Sequence, residues 1–346
     1  PVLFYIHGGG FKGGCGHEKH FDGAAYCRQG ILTVTINYRL GPLGFACMEE
    51  WKDEKGRAGN YAMYDQMAAL SWIRRNIAAF GGDPDRITLM GQSAGAMSVQ
   101  QHCLSPLTRG SFCGAVMMSG GGVMKGFSPT AALNDAEPFW RELDRRVVKA
   151  CGVGMRKAEP SVIFKEFHTL TKERPEAAMA CGPIIDGVFL PEPPMEIVSD
   201  GGAHEIPYLM GSTSEDIVPP IVHKMAKGWA RLQSDMGRCP SYAFFFDRQL
   251  PGDDCGAWHS ADLWYAFGTL ENSWRPFGAW DRELSDIMVR YFSDFIRTGN
   301  PNGGGLPRWL PMEKGQNRVM RFGDHGVAMG GVSVARLNHT MRTKPS

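Results

Sequence analysis

Several features are missing from this 346-residue sequence, and each absence excludes a class of protein. Lysine plus arginine (37) nearly equals aspartate plus glutamate (36), so no basic field exists to attract nucleic acid or an anionic membrane. The longest uncharged stretch, residues 87–108, contains glutamines, a histidine and glycines and is too polar to span a bilayer. We therefore expect a globular protein with neither a nucleic-acid partner nor a membrane span.

The cysteines do not form the pattern of a disulfide framework. Nine is an odd number, and they lie scattered from Cys15 to Cys255 without a CxxC pair. This favours free thiols in a reducing compartment and predicts a cytoplasmic protein. The chain begins with Pro1 directly before an apolar run, which predicts that an N-terminal segment, with any signal peptide, is missing. The pair His17 and His20 has no further ligands nearby, so no metal site is predicted.

Apolar runs alternate with helical stripes along the chain. Sequences typical of buried strands occupy residues 2–6, 31–37, 87–90, 115–118, 207–210 and 242–246. Helices are expected over about 63–77 and 281–297. This alternation predicts an α/β fold with a mostly parallel central sheet and helices on both faces. Residues 121–202 are less periodic and richer in proline and charge, which predicts an insertion over the active site within a single domain, 1–346.

The pentad Gly91-Gln92-Ser93-Ala94-Gly95 lies between a predicted strand and a run of small residues typical of a helix start. This is the G-x-S-x-G elbow of the α/β-hydrolase fold, in which a sharp strand-to-helix turn exposes a serine hydroxyl above the sheet. The glycines leave room for the crowded turn. Ser93 is therefore the predicted nucleophile.

A glycine-rich loop, residues 7–11 (HGGGF), directly follows the first predicted strand. Acyl transfer needs backbone N–H donors aimed at the tetrahedral oxyanion, and glycines let a loop turn its amides inward. Gly9, Gly10 and Ala94, the residue after the nucleophile, are the predicted oxyanion-hole donors. The same loop matches a G-x-G-x-x-G dinucleotide fingerprint, but the next strand ends in Asn37 instead of an acidic residue, so no cofactor is predicted.

The elbow implies the chain order serine, acid, histidine. Four histidines follow Glu215 and Asp216 in the chain, and they are His223, His259, His325 and His339. His325 and His339 lie in the tail, where solvated histidines are expected, and His223 lies in a charged helical segment. His259 follows the strand 242–246 in a loop that can return over the sheet to Ser93. It is the predicted general base.

Candidates for the acid follow two strands. Glu215 and Asp216 come shortly after the strand 207–210, and Asp247 directly follows the strand 242–246. The acid must reach the imidazole from a strand end, hold its tautomer and stabilise the imidazolium. Glu215 and Asp216 both satisfy this requirement, and residue chemistry alone does not separate them.

The residues resemble the type B carboxylesterase and cholinesterase-like family over most of the chain. The matching segments are HGGGF (7–11), NYRLGPLGF (37–45), GNYAMYDQ (59–66), WIRRNIAAFGGDPDRITLMGQSAG (72–95), LSP (104–106), GNPNG (299–303) and the late Trp309. The resemblance implies that HSADLWYAFG (259–268) is the catalytic-histidine segment and GSTSED (211–216) the acid segment. The family acid, usually a glutamate, falls on Asp216, and Glu215 remains the alternative.

Three departures from the family pattern bear on substrate. Gln92 stands where the family commonly has a glutamate that helps hold cationic substrates, which argues against choline esters. The family's first strands would lie before Pro1. Asp216 and His259 are closer in sequence than in most relatives, which predicts a more open site.

Together these features predict a serine carboxylesterase that hydrolyses uncharged carboxylic esters through an acyl-enzyme, with a Ser93-His259-Asp216 triad and a small-molecule ester as its partner. The alternatives are a truncated, inactive member and a binding-only member of the same fold. The sequence does not indicate the oligomeric state.

Overall fold

A single eight-stranded sheet forms the centre of the protein in the computed structural model, which describes residues 1–174, 180–333, 335 and 337. The strand order is β2-β1-β3-β4-β5-β6-β7-β8. The strands are β1 (Val2–Ile6), β2 (Leu32–Thr35), β3 (Ile87–Gln92), β4 (Gly114–Met118), β5 (Tyr208–Thr213), β6 (Ser241–Asp247), β7 (Arg318–Gly323) and β8 (Gly326–Gly331).

Every strand pair in this sheet is parallel except β7 with β8, which form an antiparallel hairpin. The predicted class, α/β with a mostly parallel sheet, is confirmed. All six predicted strands exist, although β2 is shorter than expected and β3, β4, β5 and β6 are longer. We did not predict β7 and β8, because arginines and glycines interrupt the apolar pattern there.

Ten α-helices connect and cover the described strands. They are α1 (Ala24–Arg28), α2 (Pro42–Phe45), α3 (Tyr61–Asn76), α4 (Ala94–Leu104), α5 (Leu133–Cys151), α6 (Pro160–Glu173), α7 (Pro194–Ser199), α8 (Pro219–Asp235), α9 (Leu263–Ala266) and α10 (Ala279–Thr298). Short 3₁₀ turns occur at Glu49–Trp51, Ile77–Phe80, Pro106–Thr108 and Leu270–Asn272. None of the described helices is long and apolar enough to cross a membrane.

The sheet separates two hydrophobic cores because side chains alternate between the faces of each strand. Phe4 and Ile6 of β1 pack on one face with residues of α3, α4, α5 and α6. Leu3 and Tyr5 pack on the other face with residues of α9 and α10. Since both faces are covered, the inner strands are continuous apolar runs, as expected for a parallel sheet.

The segment 121–202 carries α5, α6 and α7. The expectation of weak periodicity is wrong for α5, whose buried residues recur at helical spacing and include Ala136, Trp140, Leu143 and Val147. Charged residues between them obscured the stripe. That this segment is an insertion within one domain stays a prediction.

Trp309 packs against rings from two strands and a helix. It is fully buried beside Tyr242, Phe244, Tyr291 and Phe322. Replacing such a side chain by alanine loses buried apolar area and leaves a cavity.

We expect Trp309→Ala to lower the free energy of unfolding by about 3–5 kcal/mol. Trp274→Ala is the matched control, because Trp274 is 70% exposed and its removal leaves no cavity. Urea denaturation followed by circular dichroism measures both. Equal losses in the two variants would contradict this account of the core.

Candidate active site

Ser93 lies in a tight turn between β3 and α4. Its backbone has φ 57° and ψ −125°, a conformation that is costly for a residue with a side chain. Its amide donates to the carbonyl of Met118 (2.9 Å), and its carbonyl accepts from the amide of Met97 (2.9 Å). These bonds to a neighbouring strand and to the helix hold the turn, with the Ser93 side chain only partly buried at the carboxyl end of the sheet.

The glycine after this turn permits close backbone packing. A Cβ atom on Gly95 would lie 2.0 Å from the carbonyl oxygen of Ile6, so α4 approaches β1 at backbone contact. The requirement for glycine at this position therefore follows from the fit between helix and sheet.

His259 lies between Ser93 and Asp216. Its Nε2 is 2.7 Å from Ser93 Oγ, and its Nδ1 is 2.5 Å from Asp216 Oδ1. The three side chains come from loops after β3, β5 and β6, whose carboxyl ends meet at one edge of the sheet. This places a hydroxyl, an imidazole and a carboxylate in a hydrogen-bonded line.

Asp216 is fully enclosed, and burial alone would raise its pKa. The hydrogen bond and charge attraction from His259 act in the opposite direction, as do the Ser119 hydroxyl and the Ile217 amide. The net pKa of Asp216 lies below its usual value. The group is therefore ionised at neutral pH, and its charge stabilises a proton on the imidazole.

Glu215 does not face the imidazole. Its carboxylate accepts a hydrogen bond from the Ala257 amide (2.8 Å), and its own amide donates to the Ala257 carbonyl (3.0 Å). Asp247 pairs with Arg321. Of the three candidate acids, Asp216 is thus the one that the structure brings to the His259 ring.

Of the other candidate histidines, the structure describes His223 and His325. His223 is buried on α8, where its Nδ1 contacts Ser212 Oγ (3.1 Å). His325 lies in the turn between β7 and β8, and His339 lies outside the described residues.

Gly9 and Gly10 form the loop beside Ser93. Both have positive φ (106° and 60°), and a Cβ on the preceding Gly8 would lie 3.0 Å from Ser93 Cβ. The amides of Gly9 and Gly10 have no acceptor among the described residues, nor does that of Ala94 in the first turn of α4. Both glycines are exposed, consistent with the open site expected from the short segment between acid and histidine.

One hydrogen bond in this site, the bond between Gln92 and His259, was not indicated by the sequence. Gln92 donates from Nε2 to the backbone carbonyl of His259 (2.8 Å). In the sequence, Gln92 stood out only because it lacks the negative charge of the glutamate that is common in the family at this position. Its partner lies 167 residues further along the chain, and no local pattern connects the two.

Comparison with known proteins shows the family of this chain. The model of the carboxylesterase family matches residues 1–228 and 222–342. The chain belongs to the carboxylesterase family. The family resemblance inferred from the motifs is confirmed.

Two relatives each align with 62% of this carboxylesterase-family chain. The fumonisin B1 esterase of Sphingopyxis macrogoltabida is 34% identical over 225 residues, covering 62% of this chain and 39% of the relative. The para-nitrobenzyl esterase of Bacillus subtilis is 34% identical over 217 residues, covering 62% and 44%. The chain thus spans less than half the length of either relative in these matches.

Solved structures show the same architecture over nearly the whole chain. The carboxylesterase EST55 of Geobacillus stearothermophilus superimposes with a TM-score of 0.79 at 27% identity, covering 98% of this chain and 82% of that one. A PNB esterase superimposes with a TM-score of 0.84 at 24% identity, covering 100% and 80%. The α/β-hydrolase fold is therefore confirmed.

We expect Gly95→Ala to lower the free energy of unfolding by about 1–3 kcal/mol, because the added methyl group meets the Ile6 carbonyl and forces α4 away from β1. Gly304→Ala is the control, since a Cβ there meets nothing within 4 Å, and we expect a change within about 0.5 kcal/mol. Thermal and urea unfolding measure both. A neutral Gly95→Ala would show that the helix can move without cost.

Proposed function

We propose that this protein is a serine carboxylesterase that hydrolyses small, uncharged carboxylic esters through an acyl-enzyme. The observation that carries the proposal is the position of His259, with one ring nitrogen on the Ser93 hydroxyl and the other on the Asp216 carboxylate. Membership of the carboxylesterase family and the esterases among its relatives support the same reaction.

In the first half-reaction, Ser93 Oγ attacks the ester carbonyl carbon while His259 Nε2 takes the hydroxyl proton. The carbonyl π electrons move onto oxygen, and the oxyanion accepts hydrogen bonds from the amides of Gly9, Gly10 and Ala94. The carbon–oxygen bond to the alcohol then breaks, and His259 gives its proton to the departing oxygen. The products are free alcohol and an ester on Ser93.

In the second half-reaction, water takes the place of the alcohol. His259 removes a proton from the water as its oxygen attacks the acyl-enzyme, and the same amides hold the new oxyanion. The bond to Ser93 Oγ breaks, and His259 returns the proton to that oxygen. Carboxylic acid leaves, and the free enzyme is regenerated.

The preference for uncharged esters follows from the groups around Ser93. Gln92 is a neutral amide, and the Asp216 carboxylate is enclosed behind the imidazole with no exposed surface. The described part of the site therefore offers no exposed carboxylate at the nucleophile to attract a cationic substrate.

An inactive or binding-only protein is less well supported. Such a member would not need the strained backbone of Ser93 or an imidazole aligned with its hydroxyl, and both are present. A single-domain enzyme of residues 1–346 and a cytoplasmic location remain part of the proposal.

We expect Ser93→Ala and His259→Ala each to lower kcat for p-nitrophenyl butyrate by about 10⁶-fold, because they remove the nucleophile and the base that act together. Hydrolysis of the acetate, butyrate and octanoate esters by the wild-type chain gives the reference and the acyl-length preference. Circular dichroism checks that both variants fold. Near-normal turnover in either folded variant would disprove the assignment.

Asp216→Asn and Glu215→Gln separate the two candidate acids. We expect Asp216→Asn to lower kcat by about 10⁴-fold, because the imidazole loses its charged partner and its tautomer is no longer held. Glu215→Gln should lose less than about tenfold, since the glutamine Oε1 can still accept from the Ala257 amide at a cost of about 1 kcal/mol. A severe loss confined to Glu215→Gln would reverse the assignment of the acid.

A further inference from the structure

Gln92 is the last residue of β3 and immediately precedes Ser93. Its side chain is 3% exposed, and its Nε2 donates to the main-chain carbonyl of His259 over 2.8 Å. The amide thus joins the strand that carries the nucleophile to the backbone of the residue that activates it. This contact does not involve the imidazole ring.

A second side chain contacts the same loop through a hydrogen bond of the opposite polarity. The Glu215 carboxylate accepts from the amide of Ala257, two residues before His259. The loop main chain is therefore held by a donor, Gln92, on its carbonyl and by an acceptor, Glu215, on its amide. Asp216 contacts the imidazole itself.

The side chain at position 92 must be a hydrogen-bond donor to contact the carbonyl of His259. A carbonyl oxygen only accepts hydrogen bonds, and a glutamine amide donates at every pH. A carboxyl group at this position would donate only while protonated, and once ionised it would repel the carbonyl oxygen. An amide and a carboxyl group of the same shape are therefore not equivalent here.

We propose that Gln92 is a positioning residue that sets the place of the His259 imidazole through its main-chain carbonyl, and that its neutral amide makes this support independent of pH. The inference rests on the proposed function, because it assigns Gln92 a role in aligning the proposed base with Ser93. A 1 Å displacement of a catalytic group can cost about 10²-fold in rate, so a single main-chain hydrogen bond is sufficient to matter.

Titratable groups lie on several of the elements packed around this end of β3. Burial lowers the pKa of His7, at the start of the loop after β1, so that ring is neutral at pH 7. Burial and the nearby Asp216 charge raise the pKa of Asp262 well above its usual value, which favours its neutral form. The groups concerned are His7, Glu18, Glu215, Asp216, His259 and Asp262.

Gln92→Met removes the donor at nearly constant volume. We expect kcat for p-nitrophenyl butyrate to fall by about 10–100-fold while KM stays within about twofold, because alignment for chemistry is lost and substrate binding is not. Gln101→Met is the matched control. Gln101 is 1% exposed on α4, and its amide makes only a 3.5 Å contact with Thr130, so its replacement should leave kcat unchanged.

Gln92→Glu keeps the shape and tests the chemistry. Below the pKa of the introduced carboxyl, its protonated form still donates, and kcat approaches that of the wild type. Above that pKa, the carboxylate repels the His259 carbonyl and kcat falls. We therefore expect the ratio of variant to wild-type kcat to decrease by at least about tenfold as pH rises through this titration.

Each outcome decides a different point. Wild-type kcat in Gln92→Met, with Ser93→Ala inactive, overturns the positioning role and leaves the proposed function intact. A ratio of kcat that does not change with pH in Gln92→Glu overturns the requirement for a neutral donor, and this test remains available if Gln92→Met fails to fold. A folded wild-type chain without turnover overturns the proposed function and this inference with it.

Discussion

The backbone contacts at the Ser93 turn are the constraint on which the candidate site depends. The chain passes from β3 into α4 so sharply that Ser93 adopts a positive φ, and Gly95 lies against the carbonyl of Ile6. This contact fixes α4 on β1, and β1 carries the loop of Gly9 and Gly10. The proposed nucleophile and the proposed oxyanion donors thus share one junction of backbone contacts, so their relative position does not depend on flexible side chains.

The imidazole reaches this junction from a distant part of the chain. The loop after β6 brings His259 to Ser93, and Asp216 arrives independently from the loop after β5. Parallel strands make this possible, because their carboxyl ends lie at the same edge of the sheet. The loop is then held by neighbours of opposite polarity, Gln92 on a carbonyl and Glu215 on an amide. The backbone of the proposed base and its imidazole ring therefore have separate hydrogen-bond partners.

The parts that were predictable from sequence are those whose physics is local. The six apolar runs, the helical stripe of α3 and the elbow around Ser93 each express a short-range pattern, and the structure contains all of them. The hairpin of β7 and β8 and the stripe of α5 were missed because glycines or charges interrupt their periodicity. Glu215 and Asp216 are adjacent residues near the same strand end, so no local pattern indicated which carboxylate contacts His259.

The sequence by itself determined the α/β class, the position of the strand-to-helix turn that carries the proposed nucleophile and, through its motifs, the family, because these depend on residue periodicity and on glycines at defined spacings. Only the tertiary structure decided which carboxylate faces the imidazole and what Gln92 contacts. Those choices depend on side-chain directions at strand ends and on hydrogen bonds that span 43 and 167 residues. Distances of that kind exist only after the sheet has assembled.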